Sequence, residues 1–113
     1  MVVDVDDTIC ITTNRDYTNS LPVLSVIAKM HEAREKGWRI ILHTARGQGR
    51  SGGNIELVRE EVMAELASFC EKFDVPYDEI IIGKPWAAMY VDDKALRPEE
   101  FSMIDLDKWS PQL

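Results

Sequence analysis

The chain has 113 residues, of which 20 are acidic and 13 basic, so its formal net charge is −7 at pH 7. This length accommodates one domain, and we assign residues 1–113 to it. The acidic balance disfavours a protein whose main task is to bind nucleic acid. The apolar runs are too short to span a membrane. Cys10 and Cys70 have no metal-binding or disulfide-framework spacing, which favours the reducing cytoplasm.

Strands and helices alternate along the sequence. The predicted strands are residues 1–5, 39–43, 79–82 and 89–91. The predicted helices run from an N-cap at Ser20 to Gly37 and from Asn54 to Pro76, each with apolar residues at helical spacing. A glycine-rich loop, residues 45–53, separates the second strand from the second helix. This alternation predicts a single α/β domain in which helices cover a parallel sheet.

Polar side chains follow each predicted strand. In chain order they are Asp4, Asp6, Asp7 and Thr8, then Thr44 and Arg46, then Lys84, and finally Asp92 and Asp93. Parallel α/β sheets bind ligands beyond the carboxyl ends of their strands, so these side chains are expected to converge. Five clustered carboxylates repel each other unless a cation lies among them, and oxygen ligands without His or Cys favour Mg²⁺. A bound cation in turn favours a phosphate substrate, with Lys84 and Thr44 holding its oxygens.

Four short motifs, in this order, resemble those of the haloacid dehalogenase superfamily. They are DVDDT at residues 4–8, Thr44 at the end of RIILHT, Lys84 in IIIGK, and Asp92-Asp93 at the end of MYVDD. The longer stretches TARGQGRSGGNIELV, VPYDEIIIGKPW and YVDDKALRPEEF are similar to a small capless subgroup described as capsular-polysaccharide biosynthesis phosphatases. The resemblance implies a Rossmann-like three-layer sandwich, with a short parallel sheet of strand order 3-2-1-4 and no cap domain.

The resemblance also implies a function. The protein it implies is an Mg²⁺-dependent phosphatase, which hydrolyses a phosphate monoester through an aspartyl-phosphate intermediate. The expected substrate is a sugar phosphate or a similar small metabolite. In that mechanism Asp4 is the nucleophile, and Asp6 is the general acid and then the base. Thr44 and Lys84 hold the phosphoryl group, and Thr8 and Arg46 bind substrate. The expected Mg²⁺ ligands are Asp4, Asp6, Asp92 and Asp93.

Two alternatives remain open. One is a phosphotransferase on the same scaffold, and the other is a non-catalytic module that binds Mg²⁺ or phosphate. The partners expected are a small phosphorylated substrate and a second copy of the chain that covers the capless site. Only eight positions separate Lys84 from Asp92, whereas a parallel crossover takes a dozen or more residues. Lys84 is therefore expected to lie somewhat differently from the usual third motif.

Overall fold

The structure, a computed structural model, describes residues 1–111. Its strands are β1 (Val2–Val3), β2 (Cys10–Ile11), β3 (Leu21–Pro22), β4 (Ile41–Thr44) and β5 (Glu79–Ile82). Its helices are α1 (Leu24–Glu35), α2 (Arg59–Phe73) and α3 (Pro98–Phe101), with 3₁₀ turns at Tyr17–Asn19, Ile55–Val58 and Leu106–Lys108. The main sheet is parallel, in the order β1-β4-β5, and β2 pairs with β3 in a separate antiparallel hairpin. The α/β class predicted from the sequence is confirmed.

Two predicted elements differ from the structure. Residues 89–91 form no strand, so the main sheet has three strands where four were expected. The connection after Lys84 is too short for a parallel crossover in the same chain, which explains the missing strand. The first helix begins at Leu24 instead of near Ser20, because Leu21 and Pro22 pair with β2. Ser20 is buried and its hydroxyl shares a hydrogen bond of 2.6 Å with the hydroxyl of Thr12.

The main sheet buries only one of its faces. The register places Val3 beside Leu42, and Leu42 beside Ile80, on the face turned towards the helices. The opposite face carries Val2, which is 64% exposed, and Ile81, which is 41% exposed. Within residues 1–111 the chain therefore has two layers, and the third layer of the expected sandwich is not formed there.

One hydrophobic core joins the two long helices to the buried face of the sheet. The helix residues in this core are Val26, Ile27 and Met30 of α1 and Val62, Leu66, Phe69 and Cys70 of α2. Their spacing of three or four residues puts them on one stripe of each helix, which is why the helices pack against the sheet. None of the helices within residues 1–111 is long and apolar enough to cross a membrane.

Candidate active site

A cavity of about 840 Å³ lies beyond the carboxyl ends of the main strands. The structure brings together there the expected residues Asp4, Asp6, Thr44, Arg46 and Lys84. The loop between β2 and β3 lines one side of the cavity with residues 15–18. Convergence of polar side chains at this edge is what a parallel sheet predicts.

A tight turn after β1 aims the first motif into the cavity. The backbone N–H groups of Thr8 and Ile9 both donate to the carbonyl oxygen of Val5, at 3.1 and 2.9 Å. Asp7 has a φ of 64°, a left-handed conformation that aspartate tolerates better than most residues. The Thr8 hydroxyl donates to Asp4 Oδ2 at 3.0 Å and does not line the cavity. Thr8 therefore orients Asp4, whereas the sequence predicted that it binds substrate.

Asp4 and Lys84 form the centre of the cavity. The Nζ atom of Lys84 lies 3.4 Å from Asp4 Oδ1 and 4.2 Å from the ring centre of Tyr90. The backbone N–H of Lys84 donates to the carbonyl of Thr44 at 3.0 Å, which aligns the residue with β4 despite the short segment that follows. The Asp4 side chain is 37% exposed, so a ligand in the cavity can reach its carboxylate.

Thr44 ends β4 and is buried at the floor of the cavity. Its hydroxyl oxygen accepts a hydrogen bond of 3.0 Å from the backbone N–H of Arg46. That contact uses the oxygen as an acceptor, so the hydroxyl proton is free to donate to a ligand oxygen.

Arg46 is buried and bound to protein groups. Its side chain is 2% exposed, and its Nη2 and Nε atoms donate to the two carboxylate oxygens of Asp6 at 2.8 and 3.2 Å. Its Nη1 lies 3.5 Å from Glu65, and its guanidinium lies 4.1 Å from the ring centre of Tyr17. Burial acts to lower the pKa of Arg46, but the hydrogen bond and charge of Asp6 outweigh it and the pKa is raised. Arg46 thus holds Asp6 in this structure, and its expected role in binding substrate stays a prediction.

Sequence reasoning missed a second arginine network beside the first. Arg50 lies 2.8 Å from Glu65 and 2.9 Å from Glu61, and its guanidinium is 4.9 Å from the ring centre of Tyr17. The hydrogen bond to Glu65 is the main reason that the pKa of Arg50 is raised. The signal available in the sequence is the matched four-residue spacing of Arg46 with Arg50 and of Glu61 with Glu65. No sequence pattern predicts that both arginines contact the ring of Tyr17.

Asp92 and Asp93 do not reach the cavity. Both are exposed, and Asp92 Oδ1 accepts from the backbone N–H of Lys94 at 2.7 Å. Among residues 1–111 no three His, Cys, Asp or Glu side chains are grouped so as to hold a metal ion. Asp4 and Asp6 already have Lys84 and Arg46 as their cationic partners. As they are placed within residues 1–111, these carboxylates therefore do not form the Mg²⁺ site that the sequence predicted.

Fold and site together define a small α/β protein with a polar cavity at the strand ends. No family model matches the chain, and no curated protein matches it. A crystal structure of a structural-genomics target from Vibrio cholerae is similar, with 36% sequence identity and a TM-score of 0.91. The alignment covers 96% of this chain and 90% of that chain. At this identity and coverage, the chain belongs to the same family as the Vibrio cholerae protein, whose name states no activity.

Proposed function

We propose that the protein is a phosphatase that hydrolyses a phosphate monoester with Asp4 as its nucleophile. The observation that carries the proposal is the pairing of the accessible Asp4 carboxylate with the Lys84 ammonium group, 3.4 Å away, in a cavity that Thr44 also lines. Phosphoryl transfer depends on positioned cations and donors that stabilise charge on the phosphoryl oxygens. Lys84 and Thr44 supply these donors beside the attacking carboxylate.

The reaction takes place in two displacements. In the first, a carboxylate oxygen of Asp4 bonds to phosphorus, the ester P–O bond breaks, and protonated Asp6 gives its proton to the leaving oxygen. In the second, water attacks the same phosphorus atom, loses a proton to Asp6, and releases inorganic phosphate and free Asp4. Arg46 donates one hydrogen bond to each oxygen of Asp6 and so orients this carboxylate, while Oδ2 keeps a second lone pair that can take up the proton.

The size and lining of the cavity favour a small polar substrate. A volume of about 840 Å³ lies within the range of roughly 300–1,000 Å³ found for small-molecule sites. The Trp86 side chain, which lines the cavity and is 72% exposed, offers a flat surface for a sugar ring. These features, with the motif resemblance described above, support a sugar phosphate or a similar small metabolite as the substrate.

Release of phosphate from an aryl phosphate, with and without Mg²⁺, tests the proposal. Asp4→Asn is expected to lower kcat by a factor on the order of 10³ or more, because it removes the nucleophile. The matched control is Asp7→Asn in the same turn, where asparagine tolerates the left-handed backbone; we expect a change of less than about threefold. Full activity in Asp4→Asn would reject Asp4 as the nucleophile.

The same assay separates the two alternatives. A phosphotransferase would accumulate phosphorylated Asp4 in the wild type and, when a second acceptor is added, would form a new phosphate ester on that acceptor without releasing inorganic phosphate. A non-catalytic module would bind inorganic phosphate in the cavity without turning over any of a panel of phosphate esters. Either result would replace hydrolysis as the function of this site.

A further inference from the structure

A long apolar segment of the chain lies outside the body of the molecule. Every residue from 85 to 97 is exposed, and residues 86–91 are the six consecutive apolar side chains WAAMYV. Val91 is 92% exposed, and Met89 and Trp86 are each exposed by more than two thirds. Contiguous apolar surface of this kind marks an interaction site in a native protein.

The segment has few contacts with the rest of the described chain. The hydrogen bonds and ion pairs described for residues 85–97 join them only to each other and to residues 98–101. Contacts with the cavity come from the Trp86 ring, which lies against Gly49, and from the Tyr90 ring beside Lys84. The outward side chains Met89 and Val91 thus remain to be covered.

The outer edge of β1 in the main sheet can accept a further strand. β4 is the only strand paired with β1 among residues 1–111, so the outer edge of β1 carries unpaired backbone donors and acceptors. Val2 on this strand is also largely exposed. An unpaired strand edge is a template for the addition of another strand.

The chain is too short to add residues 89–91 to its own β1 as a parallel strand. Strands are about 4.8 Å apart, so the position beyond β1 is about 14 Å from β5, across the sheet. A parallel strand must also start at the opposite end of the sheet, roughly 13 Å away. The straight distance from the carboxyl end of β5 to the start of the added strand is therefore about 19 Å. Lys84 is held beside β4, and the five Cα steps from it to Met89 span at most about 18 Å even when fully extended, which is shorter than this distance.

We propose that a second copy of the chain supplies this strand. Residues 89–91 of each copy add to the outer edge of β1 of the other copy, in a reciprocal dimer with twofold symmetry. Parallel strands end at the same edge of a sheet, so Asp92 and Asp93 of the partner subunit then lie beside Asp4. The exchange covers Met89 and Val91, extends the sheet to four strands, and supplies carboxylates that a single chain does not bring to Asp4. Short hinge segments favour such exchange over pairing within one chain.

Oligomeric state is the first test. Wild-type protein is expected to sediment as a dimer of twice 12.9 kDa, and Val91→Asp is expected to weaken dimerisation by a factor on the order of 100 or more. The matched control is Leu57→Asp, because Leu57 is likewise exposed (73%) but lies far along the chain, in the 3₁₀ turn before α2. The Leu57→Asp variant is expected to remain dimeric.

Both side chains are exposed in the single chain, so circular dichroism should show both variants folded. A monomeric wild type, or a Val91→Asp dimer as stable as the wild type, would overturn the proposal.

Mixing two defective variants then tests whether the carboxylates are shared. Asp4→Asn and the double variant Asp92→Asn/Asp93→Asn are refolded separately and together, and Mn²⁺ binding is measured by electron paramagnetic resonance. Each variant alone is expected to bind at least about tenfold more weakly than the wild type. The mixture should recover about a quarter of the wild-type sites, because half of the dimers are mixed and each of these has one intact site. No recovery on mixing would overturn the sharing of carboxylates.

The metal-binding part of this inference rests on the proposed function, whereas the strand exchange does not. A dimer that binds Mn²⁺ on mixing but releases no phosphate would keep the inference and reject the phosphatase. A wild-type dimer that binds no Mn²⁺ would reject the shared metal site. The aryl phosphate assay would then decide separately whether Asp4 is the nucleophile of a phosphatase.

Discussion

Arg46 illustrates how a residue can lie at the predicted place with partners that the sequence does not reveal. Its position after a buried strand indicates a site residue, and the structure does bring it to the cavity. The sequence cannot show that the loop carrying Tyr17 folds over its guanidinium, or that Glu65 approaches it from α2. These contacts join segments that are distant in the chain, so the role of Arg46 depends on tertiary packing.

Arg46→Ala is expected to lower the free energy of unfolding by about 2–3 kcal/mol, because it leaves the partly buried carboxylate of Asp6 without its cation and leaves Glu65 with Arg50 alone. Urea denaturation measures the change. The matched control is Arg59→Ala, which removes an exposed pair with Glu56 and should leave stability unchanged within error. Equal losses in the two variants would show that burial of Arg46 carries no special stabilisation.

At the scale of elements, the regular segments with strong periodicity were predictable and the irregular ones were not. β4, β5 and the core stripe of α2 follow from apolar runs and helical spacing in the sequence. The β2–β3 hairpin was missed because each of its strands has two residues, too few to show an alternating pattern. The strand expected at residues 89–91 has the right composition, but no neighbour in its own chain is within reach.

The loop between β4 and α2 depends on Gly47 more than its other glycines suggest. Gly47 has a φ of 93°, and a Cβ atom there would lie 2.9 Å from side-chain atoms of both Ile55 and Val62. Gly53 has a similar φ of 90° but nothing within 4 Å of the corresponding position.

The two glycines give a matched pair of substitutions. Gly53→Ala is expected to cost about 1 kcal/mol of stability from backbone strain alone. Gly47→Ala adds the clash with α2 and its preceding turn, so we expect a loss of about 2–4 kcal/mol in the same thermal or urea denaturation. A Gly47→Ala protein no less stable than Gly53→Ala would show that α2 moves aside at no cost.

On the scale of the whole molecule, the two buried cysteines link the stability of the fold to pH. Both are fully or almost fully buried. Burial raises the pKa of Cys10 to about 12 and that of Cys70 to about 11, from a usual value of 9.0. The charge of Asp6 adds to the effect at Cys10, and that of Arg46 opposes it at both thiols.

These shifts make the protein less stable at alkaline pH. Above pH 9 the thiols ionise in the unfolded chain but stay protonated in the folded protein, so unfolding releases protons and becomes easier as the pH rises. We expect a loss of about 1 kcal/mol per thiol between pH 8 and pH 10. Urea denaturation at both values, for the wild type and for Cys10→Ala/Cys70→Ala, measures it. An undiminished pH dependence in the double variant would assign the alkaline loss to other groups.

The sequence by itself determined the α/β class, the main strands and helices, and the edge of the sheet at which the polar residues meet. Those features depend on local composition, periodicity and the direction of parallel strands. Only the tertiary structure decided that the sheet buries one face, that Arg46 binds Asp6, and that Asp92 and Asp93 lie away from Asp4. The reason is geometric, because each of these outcomes depends on how far a connecting segment can reach and on what lies at its end.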